Sequence, residues 1–201
     1  MKNRIHATLM TFGHPCPVSD LFGFAGRELL DRFAIPDPWR RNVDAGLELI
    51  DDLEFQIAKL SVELKRQGAD HRYIPLLVTA PGVGWINGFT IASEIGDIDR
   101  FPSPAKLCGY TGLCPRVIQS GPISKHGPRY LRWVLFEAAL NACKHPYYRG
   151  RYQRTKRRLG KQRGSKVAQI DLSRKLTEAI WHMLTRDQPF APAGAPFRLA
   201  A

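Results

Sequence analysis

A regular series of apolar residues between positions 37 and 68 constrains the fold of this chain more than any other feature. Asp37 can cap a helix here, Pro38 fits its first position, where a missing N–H costs nothing, and Gly68 is expected to end it. The spacing averages about 3.5 residues, which is typical of a coiled-coil seam. Apolar side chains recur at Trp39, Val43, Leu47, Ile50, Leu53, Ile57, Leu60 and Leu64.

A helix over 37–68 would be about 45 Å long, more than one small domain can cover. We therefore expect it to pair with another helix, within the chain or in a homo-oligomer through residues 39–64. The alternative is a helix that lies along its own domain. Residues 1–36 mix apolar residues with Gly and Pro, and they are predicted to form short, irregular helices of a linker.

Helical periodicity returns after Tyr73, and no alternating strand pattern accompanies it. The predicted class is therefore mainly α: a long coiled-coil-like helix followed by a compact helical domain over 73–188 that contains a helix-hairpin-helix. The Pro- and Ala-rich residues 189–201 are predicted to be a loose tail. The predicted helices of the domain cover 74–79, 86–95, 104–110, 128–143 and 167–184.

Positive charge is concentrated in one segment. Residues 116–166 contain 14 Lys and Arg residues and a single acid, Glu137, whereas the rest of the chain has 16 basic and 17 acidic residues. Such a field attracts a polyanion, and aromatic residues between the basic ones favour a folded nucleic-acid surface over a disordered tail. A solvated basic face is the alternative.

Residues 77–96 place a Pro-Gly-Val-Gly turn between two apolar helical stretches. Gly82 and Gly84 allow a tight turn whose backbone N–H groups open onto the N-terminus of the next helix. Such a turn can grip a DNA phosphate without reading sequence; a turn used only for packing is the alternative. A dinucleotide-binding motif is excluded, because no strand precedes the glycines and no third glycine follows at the required spacing.

A second cluster of interest precedes and opens the helix at 128–143. Arg129 and Arg132 are three residues apart and share one face of its first turns, and Lys125 lies just before it. Three cations near the positive end of a helix suit a phosphate. Ser120, in the Gln-Ser-Gly loop upstream, could be presented to that phosphate, but a serine hydroxyl needs a base to become a nucleophile, and none is obvious. Turn formation is the alternative role of Ser120.

Together, these stretches resemble the C-terminal domain of the DEDD-type insertion-sequence transposases, relatives of the Piv and MooV DNA invertases. The resemblance runs from about residue 76 to residue 184. It is carried by Pro81-Gly-Val-Gly, Glu94-Ile-Gly-Asp, Leu107-Cys-Gly-Tyr-Thr-Gly-Leu-Cys-Pro, Gln119-Ser-Gly and Ile123-Ser-Lys-His-Gly-Pro-Arg-Tyr-Leu-Arg.

The resemblance implies a protein of two catalytic parts. A RuvC-like N-terminal domain holds divalent metal with four acidic residues, and the C-terminal domain supplies a serine that joins covalently to a DNA phosphate. By motif position that serine is Ser120. The resemblance also implies a guide RNA, encoded by the element, that chooses the DNA.

The sequence departs from this family pattern in two ways. The chain begins in a region that resembles the family's linker, so none of the four metal-binding acids is assigned to it and no cofactor is expected in this chain. We therefore expect it to bind DNA but not to recombine DNA alone. In addition, Gly121 runs directly into Pro122 and Ile123, which shortens the loop that follows the serine.

Other functions receive less support from the sequence. No apolar run approaches the 18 residues of a membrane span, and the scattered cysteines are expected to be reduced thiols of a cytoplasmic, nucleoid-associated bacterial protein. His126, Cys143 and His145 lack zinc-finger spacing. Two alternatives to a transposase domain stay open: a non-catalytic nucleic-acid-binding remnant, and a protein that binds structured RNA through residues 149–163.

Overall fold

The computed structural model describes residues 1–117 and 120–192, and within them every side chain except those of 116–117, 120–121 and 161. The elements of the described part are helices apart from two short strands, which confirms the predicted mainly α class. The chain forms two compact units, residues 1–62 and residues 63–201. None of the described helices is both long enough and apolar enough to cross a membrane.

The first unit is built from α1 (Lys2–Thr11), α2 (Phe24–Arg32) and about the first three quarters of α3 (Trp39–Ala69). It has a core of its own, so residues 1–36, predicted as a linker, pack here into a small folded unit. Arg40 joins α3 to α2 by donating to the Leu30 carbonyl and the Asp31 carboxylate, at 2.9 Å each. The core residues are Ile5, Leu9, Leu21, Leu30, Ile35, Val43 and Ile50.

Helix α3 confirms the predicted long helix but differs from it at both ends. It begins at Trp39 rather than at Pro38, and its first N–H groups, those of Trp39 and Arg40, donate to the Pro36 carbonyl instead of being capped by Asp37. The prediction that Gly68 ends the helix was wrong. Gly68 is helical and buried, and an added Cβ would lie 2.7 Å from the Phe89 ring. The missing side chain therefore serves packing against α5.

The apolar seam of α3 has two different environments within the first unit. Val43 and Ile50 are buried in the core against α1 and α2, so this half of the seam packs along its own domain. Further along, Leu53, Ile57 and Leu60 are 50%, 56% and 64% exposed. The predicted pairing with another helix therefore concerns only this second half.

The second unit contains a set of packed helices and one short β-hairpin. Its core lies between α5, α7 and α8, with α6 packed on α8. Two antiparallel strands, which the sequence did not predict, pair Pro115 with Ile123 and Val117 with Ser120. The elements are α4 (Ile74–Leu77), α5 (Trp85–Ile95), a 3-10 turn (Ile98–Arg100), α6 (Pro104–Tyr110), β1 (Pro115–Val117), β2 (Ser120–Ile123), α7 (Arg129–Ala142) and α8 (Pro146–Arg186).

Helix α8 is broken at Gly160, whose backbone is non-helical (φ 73°, ψ −176°). We call residues 146–159 its first arm and residues 161–186 its second arm. The two arms run antiparallel, because Tyr152 contacts Ser165 at 3.0 Å and Arg151 contacts Asp171 at 2.7 Å. An added Cβ on Gly164 would lie 2.4 Å from the Lys156 carbonyl oxygen. This glycine therefore lets the two backbones approach closely near the bend.

Candidate nucleic-acid interface

The Pro-Gly-Val-Gly turn connects α4 to α5 and packs on α7. Gly82 has a positive φ of 82°, and an added Cβ would lie 2.1 Å from the Ala138 carbonyl oxygen and 3.0 Å from the Ala142 nitrogen. Both residues are buried alanines of α7, so small side chains on the helix and none on the turn allow backbone-to-backbone contact. Gly82 is thus committed to packing, the alternative role considered for this turn.

Gly84 has a different environment two residues further along. It is the N-cap of α5, with an extended backbone (φ −92°, ψ −178°) and no side-chain cap. It is exposed, and nothing lies within 4 Å of an added Cβ. The first N–H groups of α5 can therefore be reached from solvent beside Gly84, as an anion site requires. Binding of phosphate by Gly82 and Gly84 stays a prediction.

The loop that follows α6 crosses the segment before α7 at two glycines. Gly112 (φ 69°) and Gly127 (φ 99°) leave no room for a side chain, because an added Cβ would overlap the His126 and Tyr110 carbonyl oxygens respectively. The Lys125 nitrogen donates to the Gly112 carbonyl at 3.1 Å. This crossing holds the β1–β2 hairpin and the start of α7 in one arrangement.

The side chain of Arg132 stabilises the same crossing by hydrogen bonds to its backbone. Its Nη1 donates to the Lys125 carbonyl at 3.1 Å and to the Thr111 carbonyl at 3.4 Å, and the side chain is partly buried. Lys125, with a positive φ of 58°, and Arg129 are exposed. The structure therefore brings Lys125 and Arg132 together through the Lys125 backbone. Lys125 and Arg129 are therefore the accessible cations of the predicted phosphate clamp. In Arg132, by contrast, Nη1 is hydrogen-bonded to the backbone carbonyls.

Ser120 opens strand β2 opposite Val117 instead of lying in a mobile loop. Ser120 lies in a strand for a local reason. The Ser124 nitrogen donates to the Cys114 carbonyl at 2.8 Å and extends the pairing of the two strands. The Ser120 side chain lies outside the described residues. Its predicted role as nucleophile therefore stays a prediction, as does the phosphate-binding role of Lys125, Arg129 and Arg132.

Aromatic side chains are exposed next to these cations on α7. Tyr130 is 66% exposed and Trp133 is 51% exposed, while Leu131, Val134 and Leu135 on the opposite face are buried. A solvent-facing Tyr and Trp beside Arg129 can stack on bases or contact sugars. The sequence suggested this surface through its mixture of aromatic and basic residues.

The first arm of α8 presents the greatest density of cations. Among the cations of this arm, Arg151 is paired with an acid. It donates two hydrogen bonds of 2.7 and 2.9 Å to Asp171 of the second arm, and these raise the pKa of Arg151. A groove of about 590 Å³ follows the other face and has no acidic residue in its lining. We call it the basic groove; it is lined by Lys144, Pro146, Arg149, Gly150, Gln153, Arg154 and Arg157.

The sequence missed this arm as a structural element. Its helical prediction for the region began at 167, because residues 149–163 have few apolar side chains to set a helical stripe. The signal that was present is the spacing of Arg149, Gln153 and Arg157 at four residues, which places them on one helical face.

Metal-ligating side chains do not cluster in the part of the chain that is described. Over residues 1–117 and 120–192, no group of three or more His, Cys, Asp or Glu side chains could hold a metal ion. Cys108 is buried, and burial raises the pKa of its thiol to about 12, so it remains protonated and a poor nucleophile.

Comparison with known proteins identifies a class that part of this chain resembles. Residues 74–154, from α4 to the first arm of α8, match the model of the IS116/IS110/IS902 transposase family. That range contains the Pro-Gly-Val-Gly turn, the hairpin, α7 and most of the basic groove.

Individual relatives agree with this class. The chain is 28% identical over 135 residues to the transposase for insertion sequence element IS1111A of Coxiella burnetii, covering 64% of this chain and 37% of the relative. It is 29% identical over 143 residues to the IS1328 transposase of Yersinia enterocolitica, with coverages of 68% and 43%. A probable family 20 transposase of Pseudomonas aeruginosa is 27% identical over 150 residues, with coverages of 70% and 44%. The chain thus spans about two fifths of the length of these relatives.

Proposed function

We propose that this chain is the DNA-binding and strand-exchange part of an insertion-sequence transposase. The observation that supports this proposal best is the coincidence of the family match with the basic surface. The basic groove has four cationic side chains and no acidic one in its lining, and its residues from Lys144 to Arg154 lie within the matched range. A groove of this charge attracts the phosphate backbone of DNA and releases its counterions.

Two further surfaces belong to the proposed interface. Lys125 and Arg129 lie exposed at the start of α7, and Gly84 exposes the first N–H groups of α5 in a turn that we assign, as a proposal, to a helix-hairpin-helix. Backbone amides and cations of this kind position a duplex without reading its sequence.

The proposed DNA binding is tested by titrating a labelled duplex with the chain across a series of salt concentrations. If about six phosphates are neutralised, the slope of log affinity against log salt is near −5. A slope near zero would remove the electrostatic basis of the proposal. Structured RNA is titrated alongside, and tighter binding to RNA than to duplex DNA at every salt concentration would favour the RNA-binding alternative.

Within this function, we assign Ser120 as the nucleophile. The support is the motif Gln119-Ser-Gly within the matched range, together with the exposed cation Lys125 a few residues downstream of β2. In the attack, the serine Oγ forms a bond to phosphorus as its proton passes to water. The bond from phosphorus to one deoxyribose oxygen breaks, and that oxygen takes up a proton from water and leaves as a hydroxyl group. The nearby cations stabilise the negative charge that develops on the phosphoryl oxygens.

A DNA strand with a bridging phosphorothiolate tests this assignment, because its sulfur leaves without needing a proton. Attachment of the serine to one strand is only the first half of recombination, which this chain is not expected to complete alone. For this half-reaction we expect a covalent protein–DNA band on a denaturing gel with the unmodified chain and none with Ser120→Ala. Ser124→Ala is the matched control: Ser124 lies just after the same strand, and its Oγ donates to the Gly112 carbonyl at 3.4 Å. Equal bands from Ser120→Ala and the unmodified chain would remove Ser120 from the chemistry.

We also propose that the exposed half of the α3 seam pairs with a second copy of the chain. Leu53, Ile57 and Leu60 lie within about 60° of one another around the helix and are half or more exposed. Their exchange for Gln is expected to convert a dimer into a monomer in sedimentation equilibrium. Phe55→Gln with Val62→Gln is the control, because these exposed residues lie on the opposite face of α3. A monomeric unmodified chain at high micromolar concentration contradicts the pairing.

A further inference from the structure

A cavity of about 560 Å³ lies between the two arms of α8 and residues 188–192, within the second unit. The proposed DNA interface on the basic groove does not account for it, since only Arg154 lines both. Its volume lies within the usual range for small-ligand pockets. The polar and aromatic side chains that matter for its chemistry are Tyr147, Arg154, Lys175, Glu178, His182 and Arg186.

The outer wall of this cavity is fixed to the body of the unit. The Phe190 nitrogen donates to Thr79 Oγ1 at 2.8 Å, and the Gln188 nitrogen donates to the Met183 carbonyl at 3.0 Å. The Phe190 ring packs 5.9 Å from the rings of both Tyr148 and His145. These contacts place residues 188–190, the last two of which lie in the predicted tail, against the body of the unit, where they shape a concave surface.

Tyr147 gives the cavity an aromatic surface. Its ring meets Tyr148 edge-on at 4.9 Å and Phe190 edge-on at 6.1 Å, so its neighbours restrict its orientation. The side chain is nevertheless 52% exposed, whereas Tyr148 is 3% exposed. A tyrosine held by edge contacts but half open to solvent is suited to stacking on a planar ring.

The charges of the cavity favour an anion on the same ligand. Lys175 and the one acidic lining residue, Glu178, neutralise each other at 2.6 Å, and Arg151 is paired with Asp171. Arg154 and Arg186, one from each arm, have no ion-pair partner in the described part of the chain. The cavity therefore combines an aromatic face with two uncompensated guanidinium groups, and Arg side chains bind phosphate in a bidentate manner.

We propose that this cavity takes a single unstacked nucleotide of a nucleic-acid strand, with the base against Tyr147 and a phosphate at Arg154 or Arg186. The inference rests on the proposed function, because the nucleotide belongs to the DNA that the basic groove holds. Arg154 lines both the groove and the cavity, so a backbone in the groove lies next to the cavity entrance. Strand exchange requires bases to leave their stack, and a cavity of this chemistry would hold one of them.

The test uses a duplex with one extra, unpaired 2-aminopurine and the same duplex fully paired. The chain is expected to bind the bulged duplex about tenfold more tightly and to quench its 2-aminopurine fluorescence, since one base stacked on an aromatic side chain contributes on this scale. Tyr147→Leu removes both the preference and the quenching, while Tyr147→Phe keeps the ring and both effects. Phe24→Leu, an 83% exposed aromatic residue of α2 with no place in the proposed interface, is the matched control and keeps them as well.

The outcomes separate the two proposals. Equal affinity for bulged and paired duplexes, or a preference unchanged in Tyr147→Leu, overturns the nucleotide site and leaves the DNA-binding function intact. Failure to bind either duplex overturns the proposed function and the nucleotide site with it. The urea midpoint of Tyr147→Leu is measured in parallel to show whether this variant is folded. If it unfolds, Tyr147→Phe decides the outcome, because loss of the preference or of the quenching in a variant that keeps the ring overturns the nucleotide site.

Discussion

Exchange of Lys144, Arg149 and Arg157 for glutamine is expected to weaken duplex binding by roughly 30-fold at low salt. It should also make the slope of log affinity against log salt shallower by about 2.7, since each lost phosphate contact removes about 0.9. All three side chains are exposed and line the basic groove. Because they are exposed, the urea midpoint is expected to stay within experimental error of that of the unmodified chain.

The control for this prediction has the same change in net charge at a different place. Arg32, Lys59 and Lys65 are exposed cations outside the segment that holds the excess positive charge. Their exchange for glutamine should reduce affinity less than threefold and leave the slope nearly unchanged, because none of the three lines the basic groove and the slope counts only the phosphates that are contacted. If both triple variants lost affinity equally, net charge rather than the groove would govern binding.

Periodicity predicted the helices of this chain better than any other signal. Residues 104–110 match α6, where the Ser103 hydroxyl accepts from the Lys106 nitrogen and Pro104 occupies the first turn. The apolar stripe of α7 also matches its buried face. In both cases the information is local, since caps and the burial of one helical face depend on residues within a few positions of each other.

Two elements that lack a regular apolar pattern were not predicted. The β1–β2 hairpin was missed because strands of three and four residues that contain Pro115, Gly121 and Pro122 are too short and irregular for an alternating pattern. The first arm of α8 lacks an apolar stripe and is held to the second arm by the Arg151–Asp171 pair. A contact across 20 residues cannot be read from helical spacing.

Spacing alone could not predict which cations of the candidate site are exposed. Lys125 and Arg129 are exposed as the phosphate clamp requires, whereas Arg132 donates to two backbone carbonyls. Nothing in the spacing of Arg129 and Arg132 distinguishes the two, since both lie on one face of the same helix. The difference comes from the loop at Thr111, which the fold places against Arg132.

Substitution of Gly82 and of Gly84 by alanine separates a role in packing from a role in DNA binding. Gly82→Ala is expected to lower the free energy of unfolding by about 3 kcal/mol, which combines a left-handed backbone with overpacking. The φ of 82° is unfavourable for alanine, and the new Cβ would overlap the Ala138 carbonyl oxygen, a backbone atom in the middle of α7 that cannot turn aside. Urea unfolding measures this loss directly.

Gly84→Ala is the matched change two residues away. Its φ of −92° suits alanine, and its Cβ would enter open space, so the free energy of unfolding should fall by about 1 kcal/mol or less, the cost of a poorer N-cap. The methyl group would, however, stand where a phosphate approaches the N-terminus of α5, and duplex affinity should fall about fivefold. Unchanged affinity in Gly84→Ala would exclude this turn from the DNA interface and leave the glycines of the motif explained by the packing of Gly82 on α7.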